Sequence, residues 1–158
     1  MKRDLLFEMT YAFPPERVWR ALTDPVAIED WLMPNDFRPV PGHRFQFRTQ
    51  PRPGFDGIVD CEVIEIDPPR RLAYSWRGGG LDTIVSFTLE GCAEGTRLRL
   101  EHTGFRGARA IMVSYIMGSG WGSKILKERL PAAVARVSEA GYRRAMESER
   151  SSCSPSAR

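Results

Sequence analysis

LAYSWRGGGLDTIVSFTLEGCAEGTRLRLEH, from Leu72 to His102, is the stretch whose reading decides the fold. Leu72, Tyr74 and Trp76 alternate with smaller or polar residues; Val85, Phe87 and Leu89 do the same, and so do Leu98, Leu100 and His102. A period of two puts each set on one face of a strand. Gly78-Gly79-Gly80 and the segment Gly91 to Gly95 separate the sets. Links that short and glycine-rich join antiparallel neighbours in hairpins. The stretch is therefore an antiparallel meander with an aromatic inner face.

Towards the N-terminus the same texture continues. Ile58 to Ile66 is a strand, closed by Asp67-Pro68-Pro69, a turn that no central strand accommodates. Its inner face is ambiguous, because Val59, Cys61 and Val63 compete with Ile58, Ile64 and Ile66; a β-bulge reconciles the two sets. Phe45 and Phe47 alternate with Arg44, Gln46 and Arg48 in a further strand, and Gln50 to Gly57 is a loop. Before these, Leu5 to Phe13 is β-rich and runs into Pro14-Pro15-Glu16, which starts a helix carrying Val18, Trp19 and Leu22. Thr23-Asp24-Pro25 ends it and caps a second, with Asp24 as N-cap and an apolar face of Ile28, Trp31 and Leu32.

Beyond Gly104 the period changes to that of a helix. Ile111, Tyr115, Ile125, Leu126, Leu130, Val134 and Val137 predict a long amphipathic helix packed across the concave face of the sheet. Gly118, Gly120 and Gly122 predict a kink or break there, one that loosens the helix over a pocket mouth, and Pro131 a second bend. The expected order is β-α-α-β-β-β-β-β-α, an α+β domain over residues 1–145 with a disordered tail at 146–158.

At 158 residues, 42% hydrophobic and 27% charged, the composition is that of one globular domain. No apolar run approaches the roughly 18 residues of a membrane span, and the N-terminus has no secretory pattern. Cys61, Cys92 and Cys153 make no CxxC pair, so reduced thiols and a cytoplasmic location are expected. The net charge of +3 is spread along the chain rather than clustered, which argues against a nucleic-acid partner.

Several segments together resemble a known family. They are Pro14 to Pro25 (PPERVWRALTDP) with the later Trp31, Asp67 to Trp76 (DPPRRLAYSW), Val85 to Glu90 (VSFTLE), Thr103-Gly104-Phe105, and Gly120-Trp121 in the terminal helix. Over about residues 4–140 the sequence resembles the START-like, helix-grip (SRPBCC, birch-pollen-allergen-like) superfamily. Within that superfamily it is similar to the bacterial proteins named after the activator of the heat-shock protein 90 ATPase. The resemblance implies a curved antiparallel sheet of about six strands wrapped around a long C-terminal helix, with two short helices after the first strand. The superfamily includes lipid carriers, polyketide cyclases and hormone receptors, so it implies an interior pocket without fixing what the pocket does.

The chemistry-bearing residues are few. His43 and His102 lie far apart without metal-ligand spacing, so no metal or other cofactor is expected. There is no GxSxG elbow and no evident carboxylate pair. The segment Gly118 to Lys124 lacks the glycine before lysine that a phosphate loop needs. His102 shares the inner face of its strand with Leu98 and Leu100, where an imidazole either orients or protonates a ligand or serves as a structural hydrogen-bonded residue. Tyr74 and Trp76 face inward, and Tyr115 and Trp121 on the helix are expected to meet them. Trp31, Phe45, Phe47, Phe87 and Met112 complete the expected lining; the alternative is that these side chains simply fill the core. The expected function is non-enzymatic binding of a small hydrophobic or amphipathic molecule. A cyclase, aromatase or hydrolase acting on a hydrophobic substrate is the alternative, and a chaperone-interacting module the third reading.

Overall fold

The computed structural model describes residues 2–137. The expected tail at 146–158, the end of the domain predicted to reach 145, and Cys153 fall outside the described residues. Strand β1 (Lys2–Tyr11) is followed by helices α1 (Pro15–Thr23) and α2 (Pro25–Trp31). Strands β2 (Arg44–Arg48), β3 (Ile58–Asp67), β4 (Arg71–Gly78), β5 (Leu81–Cys92) and β6 (Gly95–Arg106) then run in sequence. Helix α3 (Ala108–Ser119) continues into a π-helical segment, Gly120–Arg129, and residues 130–137 resume the α-helix.

The six strands form one antiparallel sheet in the order β1-β6-β5-β4-β3-β2. The meander from β2 to β6 is hairpin-connected, as the glycine turns require. Strand β1 pairs with β6, placing Leu5 opposite His102, Phe7 opposite Leu100 and Met9 opposite Leu98. The chain therefore crosses from one edge of the sheet to the other between β1 and β2, and α1 and α2 make that crossing. At the junction the Asp24 carboxylate accepts from the Val26 N–H at 2.9 Å, the cap that the Asp-Pro pair predicts. The Trp31 indole N–H donates to the Ala21 carbonyl at 2.8 Å, locking α2 against α1.

The ambiguity of β3 resolves as a bulge, a register shift between Val63 and Glu65. Before it Val59, Cys61 and Val63 are buried; after it Ile66 packs on the core while Ile64 is exposed. One inserted residue exchanges the two faces.

The terminal helix departs from the expected break. It is continuous, and at Gly120 it changes hydrogen-bond register. Pro131 supplies the reason for where this ends. The Leu130 N–H donates to the Ile125 carbonyl, five residues back, and Pro131 has no N–H to give to Leu126. The Leu126 carbonyl is taken instead by the Tyr11 hydroxyl of β1 at 2.7 Å. The glycines serve close approach: a Cβ at Gly122 would lie 3.0 Å from the Phe7 ring, and one at Gly118 3.4 Å from Leu5.

Candidate functional site

Eight of the residues expected to line a pocket are buried and share the core between helix and sheet: Trp31, Phe45, Phe47, Tyr74, Trp76, Phe87, His102 and Trp121. They form a chain of rings. Tyr74 meets Phe45 edge-on at 5.2 Å between centroids, and Trp31 meets Phe87 likewise at 6.1 Å. Phe47 lies 5.3 Å from Trp76, and Trp76 lies 6.1 Å from Trp121. Phe37, between Phe45 and Tyr74, belongs to the same cluster. Most of the space under the helix is thus filled by aromatic side chains, each such pair adding about 0.5–1.5 kcal/mol beyond its area burial.

Two expected lining residues lie elsewhere. Met112 and Tyr115 are 67% and 59% exposed, on the outer side of α3. Tyr115 does not approach Tyr74 or Trp76; its ring packs under the Arg3 guanidinium at 3.7 Å. Helix α3 is apolar almost all round, so its periodicity did not distinguish the buried side, which carries Ala110 and Ser114.

A recess of about 140 Å³ remains open where the π-helical segment passes the end of α2. Trp76 and Trp121, both buried, form its floor, and Leu32, Met33, Met117, Gly120 and Ile125 its half-buried rim. Of the ten residues expected from sequence, only the two tryptophans reach this opening. Leu32 was legible only as part of the apolar face of α2, and Met33, next after it, carries no periodic signal. Gly120 was legible only as a weak point of the helix, yet it leaves space: a Cβ there would meet nothing within 4 Å.

His102 closes the floor from below. The Trp121 indole N–H donates to its Nδ1 at 3.2 Å, so Nδ1 is unprotonated and the ring hydrogen sits on Nε2. Nε2 lies 2.8 Å from the Thr83 hydroxyl, which in turn donates to the Trp76 carbonyl at 2.9 Å. The chain runs His102 to Thr83 to Trp76 with every donor used. Burial pushes the imidazole pKa down to about 3, so the ring is neutral. Of the two roles open to it in the sequence, this geometry matches the structural one.

The other titratable groups of the core are also held neutral. Burial raises the Tyr74 phenol well above its usual range, with the nearby Cys61 adding to the effect. Burial likewise raises the Cys61 thiol, reinforced by Asp60 and Asp36, so Cys61 presents no thiolate. A larger groove of about 430 Å³ crosses the outer face of the sheet between Asp36, Arg44, Asp60, Glu62 and Arg77. Its charges pair with neighbours: Arg44 with Glu62 at 3.5 Å, Arg77 with Asp82 at 3.0 Å. Among the described residues no group of three or more His, Cys, Asp or Glu side chains is placed to hold a metal ion, and no helix is long and apolar enough to cross a membrane.

The sequence model of the activator of Hsp90 ATPase homolog 1-like proteins matches residues 12–135. Among solved structures, protein MLL2253 from Mesorhizobium loti is 37% identical, with a TM-score of 0.74 over 85% of this chain and 98% of that one. Protein BH1534 from Bacillus halodurans is 28% identical, with a TM-score of 0.71 over 85% of this chain and 99% of that one. Protein CV1439 from Chromobacterium violaceum is 25% identical, with a TM-score of 0.66 over 83% and 96%. No curated protein matches the sequence.

Proposed function

The chain belongs to the family of activator of Hsp90 ATPase homolog 1-like proteins, and on that premise we propose that it binds a small hydrophobic or amphipathic molecule between its sheet and its C-terminal helix, without chemistry. The observation that carries this reading is the recess itself, an apolar opening floored by Trp76 and Trp121. Ligand sites are concave and mostly apolar, and this one is continuous with the aromatic core. The ten-residue π-helical wall supports it further, since π-helical turns recur at functional sites.

Catalysis in the same place has less support. A general acid or base needs a proton within reach of its substrate. Both nitrogens of His102 are engaged by Trp121 and Thr83, beneath the floor rather than on it.

Native mass spectrometry of protein purified without detergent tests the proposal, followed by indole N–H titration with a panel of monocyclic arenes, fatty acids and sterols. A discrete added mass, or saturable shifts at Trp76 and Trp121, is expected. A clean spectrum together with unmoved indoles across the panel would end the binding reading.

A further inference from the structure

The shape and chemistry of the recess specify more than "hydrophobic". Resting on the binding reading above, we infer that the ligand inserts one uncharged aromatic ring into the recess, against the floor made by Trp76 and Trp121, and that the rest of the molecule stays outside the rim.

Size sets the first limit. The recess holds about 140 Å³, and an apolar protein cavity of roughly 150 Å³ accommodates a benzene molecule. A long acyl chain or a fused polycycle exceeds that space, and the surrounding floor is closed by packed rings. Phe87 lies 6.5 Å from Trp121, and Phe47 lies 5.3 Å from Trp76. Leu126, Leu130 and Val134 of the helix are fully buried, so no tunnel continues beneath them.

Polarity sets the second. No charged or hydroxyl-bearing side chain lines the recess. The Trp121 N–H, the donor that a polar ligand would seek, is already given to His102. A carboxylate or ammonium group inserted here would lose its water without gaining a partner. Polar substituents therefore project outward past Leu32, Met33 and Met117.

Shape favours a ring over a short alkyl group of equal volume. The two indoles meet at 60° with centroids 6.1 Å apart, presenting two inclined π surfaces. Met33 and Met117 stand at the rim with thioethers that adapt to an aromatic edge. Gly120 lines the opening, and a Cβ built there would meet no atom within 4 Å.

Toluene and palmitate are the discriminating probes, with the indole resonances of Trp76 and Trp121 as the readout and that of Trp19 as an internal control. Toluene is expected to shift the first two saturably and leave Trp19 in place, while palmitate does not saturate at either. Gly120→Leu is expected to weaken toluene at least tenfold, and Gly120→Ala less; Met117→Trp fills the recess from the preceding helical turn should Gly120→Leu not fold. Palmitate saturating at Trp76 and Trp121 while toluene does not would overturn the ring inference and leave the binding reading standing. Neither probe moving those indoles would remove both for these two ligand classes. Unchanged toluene affinity in folded Gly120→Leu would place the toluene site elsewhere and overturn the inference.

Discussion

The hydroxyl of Tyr11 donates to the carbonyl of Leu126 at 2.7 Å, joining the end of β1 to the one turn of the terminal helix whose ladder Pro131 interrupts. An unpaired buried carbonyl costs about 1–3 kcal/mol, so this bond is what makes the proline tolerable. It also fixes the helix over the sheet at the place where the recess opens.

Removing the hydroxyl tests that account. Tyr11→Phe is expected to lower stability by about 1–2 kcal/mol, or about 2–8 °C in Tm, measured by urea and thermal unfolding. The diagnostic is the coupling. In a Pro131→Ala background the helix regains a backbone donor, and the penalty of Tyr11→Phe should shrink by more than about 0.5 kcal/mol. Equal penalties in both backgrounds would separate the two features.

His102 predicts an acid-dependent loss of stability. Its folded pKa is near 3 and its ordinary value is 6.5. Between these pH values the unfolded chain carries the proton and the folded chain does not. The unfolded state thus binds more protons, and stability rises with pH at up to about 1.4 kcal/mol per unit. The contribution is complete above pH 6.5 and is lost on acidification towards pH 3. Urea unfolding across pH 4–7 should therefore be shallower in His102→Gln than in the parent protein; parallel curves would mean that the buried imidazole is not the sensor.

Thr83→Val keeps the shape of the side chain and deletes the link between His102 and the Trp76 carbonyl. It strands the Nε2–H and the carbonyl together in a buried site. A loss of about 1–3 kcal/mol is expected in denaturant unfolding. Because the network underlies the floor, the indole shifts of Trp76 and Trp121 should move in the free protein. A variant as stable as the parent, with unmoved indoles, would show that the network does not set the floor.

The meander, the break between α1 and the capped α2, and the bulge in β3 were legible because each rests on local chemistry: alternation, an Asp-Pro cap, a clash between two apolar sets. The pairing of β1 with β6 is not local and followed only from family resemblance. The inner aromatics were legible as a group, since Tyr74, Trp76 and Phe87 alternate on facing strands. Which of them meet open space was not, because that depends on how far the rings fill the volume under the helix. Tyr115 and Met112 misled because α3 is apolar on both sides, and periodicity carries no direction when there is no polar face. The π-helical register was equally hidden: glycines and a proline mark a weak ladder, but only the Tyr11 hydroxyl shows how it is repaired.

The three glycines of the terminal helix should respond differently to the same added methyl group. Alanine is favoured over glycine by about 1 kcal/mol in a helix interior. At Gly120 nothing opposes that gain, since the Cβ meets no atom within 4 Å. At Gly122 the Cβ would sit 3.0 Å from the Phe7 ring, and at Gly118 3.4 Å from Leu5. Gly122→Ala must push Phe7 away from the core or the helix away from β1, a packing cost of about 1–3 kcal/mol. The expected order of stability is Gly120→Ala above the parent, Gly118→Ala near it, and Gly122→Ala below it. Thermal unfolding of the three variants checks the order, and a Gly122→Ala variant more stable than Gly120→Ala would contradict the close approach of helix and strand. Gly120→Ala carries a second consequence, because Gly120 lines the recess: the stabilised variant is expected to bind a recess ligand more weakly than the parent, so that stability and binding move in opposite directions at one residue.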